Sequence, residues 1–285
     1  MAGKLIDGKK IAKKILEKAK KEVALLKEKN VPVGLAIVQA GQNPASSIYI
    51  AKKLDAAEEI GMKTEWVKLS EKVSFEEISQ KINELNNNEQ ISGIIVQLPL
   101  PKHLKQIDVL SLVDPKKDVD GFHPANQGRL FAGEPVFVPA TVKGIIKLIE
   151  STKTKIAGKH AVVIGRSVIV GKPVASMLLN ADATVTMCHS RTKNLASHTK
   201  QADILVVAVG KMRLVKKNMV KKGAIVIDVG INKVKGKISG DVDFENVKKI
   251  AGFITPVPGG VGPMTVACLI ENTIEAVKRL AAKKN

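Results

Sequence analysis

Two kinds of apolar pattern alternate along the chain. Short, near-continuous runs of branched aliphatic residues, VGLAIVQAG, SGIIVQLPLP, HAVVIG, ADILVVAVG and GAIVIDVG, end in Gly or Pro. Such runs read as parallel strands covered on both faces and stopped by turns. MKTEWVKL and the Ala183 to Cys188 stretch add two more strands, the first by its alternation. Between the strands lie helical stripes. Lys9 to Asn30 places Ile11, Ile15, Leu16, Ala19, Val23 and Leu26 on one face and lysines on the other. Pro44 to Ile60 reads as a helix that stops at Gly61. Ser74 to Leu85 begins with Ser74 and, three residues on, Glu77, the spacing of a capping box. Strand and helix in turn predict an α/β architecture with mostly parallel sheets.

Three stretches break the alternation. Asp114 to Leu130, DPKKDVDGFHPANQGRL, has no period and reads as a long loop, a kind that is often functional. Residues 139–150 restart a helix, and the strand at His160 opens a second domain. TPVPGGVGPMT reads either as a rigid connector or as the wall of a cleft, and Leu269 to Leu280 as a last amphipathic helix. The expected division is 1–139 with 269–285 in one domain and 140–268 in the other.

Composition narrows the class. At 285 residues and 45% hydrophobic, the chain is long enough for two domains and a large core. MAGKLIDGKK lacks the apolar region of a signal peptide, and no apolar run approaches a membrane span. Cys188 and Cys268 form neither a disulfide framework nor a zinc pattern. A cytoplasmic protein with no metal and no membrane partner is expected. The net charge of +19 raises the possibility of a nucleic-acid partner. The lysines come as scattered pairs, however, and aromatics are only 3%, poor for stacking bases. Solubility, or attraction of small polyanions, explains the charge better.

Candidate chemistry starts at HAVVIGRSVIVGKP. Strand, Gly165 turn and a helix with Pro173 in its first turn form the opening unit of a dinucleotide-binding fold, where helix N–H groups meet a pyrophosphate. G-x-G-x-x-G is absent; Gly165 and Gly171 frame Arg166 to Val170. After the Cys188 strand no carboxylate awaits a ribose hydroxyl. Ser190, Arg191 and Lys193 stand there instead, which with Arg166 suits the 2′-phosphate of NADP. A solvated basic loop is the alternative. In the first domain, Tyr49 and Lys53 lie four apart on a helix and so share a face. A snorkelling surface lysine has the same spacing. VQLPLP and DVDG supply polar groups in loops that could meet the pair.

YIAKK, AAEEIG, GIIVQLPLP, KDVDGFHPANQGRL, GRSVIVGKP, HSRT, GAIVIDVGIN, GDV and FITPVPGGVGPMT, in this order, resemble the bifunctional methylenetetrahydrofolate dehydrogenase/cyclohydrolases from about Leu5 to Ala276. The resemblance implies two α/β domains, the second a Rossmann-type NADP-binding domain, with a cleft between them, and a homodimer. It implies oxidation of 5,10-methylenetetrahydrofolate by NADP and hydrolysis of the 5,10-methenyl product to 10-formyltetrahydrofolate. On this resemblance Lys53 is the main catalytic residue and Tyr49 stacks on the folate. Gln97 hydrogen-bonds Lys53 and sets its protonation, donating its amide N–H to a neutral amine. Asp120 holds the pterin amino and ring N–H groups. Leu98, Pro258 and Gly262 complete the substrate set. Gly165, Arg166, Ser167, Ser190, Arg191, Ile231 and Thr141 fall to NADP. Asp118 and His123 are expected to serve the loop itself.

One departure stands out. The family's Pro-Cys-Thr-Pro is Pro139-Ala140-Thr141-Val142 here. Loss of the second proline is expected to loosen a loop near the nicotinamide and to cost oxidation more than hydrolysis. Two other functions compete: an enzyme retaining one activity only, and a non-catalytic basic nucleic-acid-binding protein.

Overall fold

The computed structural model describes residues 3–234 and 237–281. In chain order the elements are β1 (Lys4–Leu5), α1 (Gly8–Glu28), β2 (Gly34–Ala40), α2 (Pro44–Glu59), β3 (Lys63–Leu69), α3 (Phe75–Asn87) and β4 (Gly93–Val96). Next come α4 (Gln106–Leu110), α5 (Pro124–Phe131), α6 (Ala140–Glu150), β5 (His160–Ile164), α7 (Gly171–Asn180) and β6 (Thr184–Cys188). The chain continues with α8 (Leu195–Thr199), β7 (Ile204–Val207), β8 (Ile225–Asp228), β9 (Asn232–Val234) and β10 (Lys237–Ser239). It closes with α9 (Phe244–Val247), β11 (Phe253–Ile254) and α10 (Val261–Ala281).

The backbone divides into two compact units, Lys13–Ala140 with Val266–Asn285, and Met1–Ala12 with Thr141–Thr265. The first unit holds a three-stranded parallel sheet in the order β3-β2-β4. All seven residues of central β2 are buried, as expected of a strand covered on both faces. Edge strand β3 keeps its exposed lysines at Lys63 and Lys68, which discourage further pairing. Ile78, Ile82 and Leu85 of α3, with Val109 and Leu110 of α4, cover Ala36, Val38, Ile94 and Val96. The capping box is present in full: Ser74 Oγ accepts from Glu77 N at 3.1 Å, and Glu77 Oε2 accepts from Ser74 N at 2.8 Å.

The second unit carries a six-stranded sheet in the order β1-β11-β8-β7-β5-β6, every pairing parallel. The order reverses between β5 and β7. That is the switch point where an open α/β sheet leaves a crevice beyond its strand ends.

Several sequence expectations need correction. The N-terminal residues do not join the first domain; β1 pairs with β11 of the second sheet, Lys4 opposite Phe253. Two residues carry too little pattern to reveal such a strand. Residues 114–130 are not all loop, because Pro124–Phe131 is helical. His123 caps it through Nδ1, which accepts from Ala125 N at 3.0 Å, and Pro124 occupies the first turn. Gly128 in mid-helix hid the period. The last helix starts at Val261, not Leu269, so VGPMT is its first turns and only Thr255 to Gly260 remains a connector.

Candidate active site

The site grows from the carboxyl ends of β2 and β4. Helix α2 follows β2 and brings Lys53 inward, where the residue is only 9% exposed. Gln97 follows β4 directly. Its neighbour Asp120 sits on the segment that runs beside β4, where Ile94 N donates to Lys117 O at 2.7 Å. The three converge: Lys53 Nζ donates to Gln97 Oε1 at 3.3 Å and lies 4.0 Å from Asp120 Oδ2. Tyr49, one turn before Lys53, is 37% exposed. Partial burial raises its hydroxyl pKa above the ordinary value.

The Gln97 hydrogen bond runs opposite to expectation. Its amide nitrogen donates to the Leu98 carbonyl at 2.7 Å, and it is the amide oxygen that faces Lys53. A carbonyl can only accept, so the amide has no freedom to flip. Gln97 thus orients the lysine nitrogen as an acceptor, whatever the lysine's protonation state, since a neutral amine also has N–H to offer. Leu98 contributes this anchoring carbonyl, which also accepts from Ser46 Oγ at 3.4 Å.

Asp120 is 8% exposed, and burial raises its carboxyl pKa, an effect partly offset by the Lys53 charge. Lys53 is its one side-chain partner among the described residues. Asp118, two residues earlier, faces the other way. Phe122 N, His123 N and Asn126 Nδ2 donate to it at 3.1, 2.8 and 2.8 Å. Asp118 therefore holds the loop, as expected, and the turn that follows it carries the Asp120 carboxylate towards Lys53. Sequence reasoning missed the supports of this segment. Lys117, 6% exposed, donates to Leu85 O at 3.2 Å and Asn88 O at 2.9 Å, at the end of α3. Asn272 Nδ2 donates to Val119 O and Val138 O, both at 2.9 Å. A buried asparagine within an apolar helix is the signal that could have found it.

In the second unit, Gly165 ends β5 with φ of +126°, a conformation that suits glycine, and a Cβ there would stand 2.3 Å from Ala208 O. Ser167 Oγ accepts from Val170 N at 3.2 Å and Gly171 N at 3.3 Å, shaping the turn into α7 and keeping its own O–H to donate. Arg166, Ser167, Ser190 and Arg191 are exposed around the ends of β5 and β6, with no carboxylate among them. This donor set fits an anionic dinucleotide bearing an extra phosphate. Ile231 is 44% exposed after β8. Pro258 is exposed in the connector before α10, and a side chain at Gly262 would meet open space. Thr141 Oγ1 accepts from Thr265 Oγ1 at 3.2 Å. The departure at Ala140 and Val142 does not loosen a loop. Both residues are fully buried in the first turn of α6, so the substituted side chains pack in the core.

Residues 6–120 match the tetrahydrofolate dehydrogenase/cyclohydrolase catalytic domain, and residues 139–281 match the NAD(P)-binding domain of the same family. The bifunctional protein FolD of Listeria innocua is 55% identical over 279 residues, 98% of this chain and 98% of that one. The FolD protein of Halalkalibacterium halodurans is 51% identical over 278 residues, 98% of this chain and 100% of that one. Among solved structures, the bifunctional FolD methylenetetrahydrofolate dehydrogenase/cyclohydrolase of Campylobacter jejuni superposes with a TM-score of 0.96 at 48% identity, covering 98% of this chain and 100% of that one. The Trypanosoma brucei enzyme, complexed with NADP and an inhibitor, gives 0.95 at 39% identity, covering 99% of each chain.

Proposed function

Because the chain belongs to the tetrahydrofolate dehydrogenase/cyclohydrolase family, we propose that Tyr49, Lys53, Gln97, Leu98 and Asp120 bind and convert its folate, and that the six-stranded unit holds NADP. The protein is a bifunctional enzyme. It oxidises 5,10-methylenetetrahydrofolate with NADP and hydrolyses the 5,10-methenyl product to 10-formyltetrahydrofolate. The folate unit comprises 13–140 and 266–281, and the NADP unit 3–12 and 141–265.

The observation that carries the residue assignment is the convergence of Lys53, Gln97 and Asp120 at the strand ends. Asp120 offers a buried carboxylate with lone pairs to spare, the acceptor that pterin amino and ring N–H groups require. Tyr49 stacks on the folate. Oxidation needs alignment more than acid or base, because the substrate's own nitrogen lone pair expels the hydride. NADP supplies the hydride acceptor. Arg166, Ser190 and Arg191 would meet its 2′-phosphate, and Gly165, Ser167, Ile231 and Thr141 would complete its site.

Hydrolysis makes a different demand. Water attacks the methenyl carbon and loses a proton as it does so, a task for a positioned base; the carbinolamine then collapses, its hydroxyl becoming the formyl C=O as the C–N5 bond breaks and N5 takes up a proton, which leaves the formyl group on N10. Lys53 takes that proton, held in place by Gln97.

An absorbance assay for methenyltetrahydrofolate, run with NADP and NAD side by side, tests the cofactor half. Faster turnover with NADP is expected; equal use of both cofactors overturns the phosphate assignment. We further infer a cytoplasmic homodimer with no nucleic-acid partner. The dispersed lysine pairs support the last point. Sedimentation measures the first, and only weak, salt-sensitive binding to generic RNA is expected.

A further inference from the structure

Two carboxylates lie buried at the carboxyl end of the six-stranded sheet. Asp228, the last residue of β8, is 3% exposed and Asp241 is 0% exposed. Neither has a lysine or arginine partner among the described residues. Their oxygens instead collect N–H donors. Asp241 Oδ2 accepts from Val209 N at 2.8 Å and Gly210 N at 2.9 Å, in the turn after β7. Asp241 Oδ1 accepts from Asn232 Nδ2 at 2.9 Å. Asp228 Oδ1 accepts from Gly230 N at 3.0 Å and Asp241 N at 2.9 Å, and Oδ2 accepts from Val242 N at 2.9 Å. The backbone is cut away to admit them. A Cβ at Gly230 would stand 2.1 Å from the Asp241 carboxyl carbon, and one at Gly240 would stand 1.9 Å from Asp228 Oδ2.

We propose that Asp241 is a positioning residue for the NADP site, tying the turn after β7 and the Gly230–Asn232 segment after β8 into one arrangement, with Asp228 as its base. The role rests on the reading that NADP lies beyond this sheet. Three observations lead from the carboxylate to the cofactor. The sheet order reverses at β5 and β7, which puts the turn after β7 on the wall of the crevice. Ala208 O, beside that turn, abuts Gly165 closely enough to exclude a side chain there. Ile231 stands 44% exposed between two residues that the carboxylates hold, Gly230 and Asn232. An isoleucine pinned at the surface by buried charge on both sides has an apolar face ready for the flat ring or sugar of a dinucleotide. Without Asp241 both segments lose their shared acceptor and the exposed isoleucine loses its fixed place.

The test compares Asp241→Ala, Asp241→Asn and Arg191→Ala with the unmodified enzyme. NADP affinity is measured by titration, hydrolysis of added methenyltetrahydrofolate without cofactor by absorbance, and the thermal midpoint by circular dichroism. Asp241→Ala removes every acceptor and is expected to weaken NADP about tenfold or more. Asp241→Asn keeps an oxygen for Val209 and Gly210 but loses the charge, and is expected to fall between. Hydrolysis should stay within about twofold in both, because Tyr49, Lys53, Gln97 and Asp120 lie in the other unit, whereas a general structural role would lower hydrolysis in step. Unchanged NADP affinity in Asp241→Ala, or a parallel loss of hydrolysis in both variants, overturns the proposal. Should Asp241→Ala fail to fold, unchanged NADP affinity in Asp241→Asn does the same. Arg191→Ala separates the two readings. If it weakens NADP while the Asp241 variants do not, the cofactor site stands and the positioning role falls; if none of the three weakens NADP, both fall.

Discussion

Lys53 is the residue on which the two activities part. Arginine keeps its charge but does not give up a proton at any working pH. Lys53→Arg is therefore expected to hydrolyse methenyltetrahydrofolate at least a hundredfold more slowly, in the range that loss of a general base produces, while part of the NADP-dependent oxidation survives. Accumulation of the methenyl compound in the coupled assay reads this out, and hydrolysis near the unmodified rate would remove Lys53 from the base role. Arg191 makes the matching case for the cofactor. Arg191→Ala should weaken NADP more than NAD, by about 1.5–3 kcal/mol if it bonds the phosphate; equal effects on both cofactors would show that it touches something they share. The shared helix face of Tyr49 and Lys53 was legible in their spacing, but a surface lysine has the same spacing, and only the family resemblance joined the pair to Gln97 and Asp120. The direction of the Gln97 hydrogen bond was not legible. It depends on the Leu98 carbonyl competing for the amide nitrogen, a choice made by backbone geometry after β4.

At the scale of elements, α6 shows how a loop argument turns into a packing argument. Val142 is fully buried in the first turn, where a missing N–H costs little. Val142→Pro is thus expected to leave the oxidation rate within about twofold and to lower stability by roughly 1 kcal/mol through lost apolar volume, as small core truncations do. Urea denaturation alongside the absorbance assay checks both; a clear rise in oxidation would restore the view that the missing proline loosens the nicotinamide side. α5 teaches the converse. His123-Pro124 carried the start signal for a helix, yet Gly128 and the polar surroundings concealed it, because a short helix draws its stability from contacts and not from propensity. Asn126 is one such contact, since its amide donates to Asp118 and to Pro115 O at 2.9 Å.

For the whole molecule, buried charge sets a pH dependence. Burial pushes the Asp228 carboxyl up from 3.8 to about 6; three backbone N–H bonds pull it down, and the neighbouring Asp241 charge adds to the rise. A folded state that holds this proton more tightly than the unfolded chain gains from it below pH 4. The gain is lost as pH rises towards 6, by about 3 kcal/mol at most. Relative to the unmodified protein, the thermal midpoint of Asp228→Asn should therefore climb between pH 4 and 6 and run parallel above it; a constant offset across that range would contradict the shift. The sequence by itself determined the α/β class and the strands β2 to β8, because period, capping and turn chemistry act over a few neighbours. Only the tertiary structure decided that β1 belongs to the second sheet and that Asp241 clasps two loops. It also decided that Lys117 and Asn272 brace the Asp120 segment. Each of these depends on partners far apart in the chain, 153 positions for Asn272 and Val119, and such pairings are fixed by packing and by the need to satisfy buried polar groups.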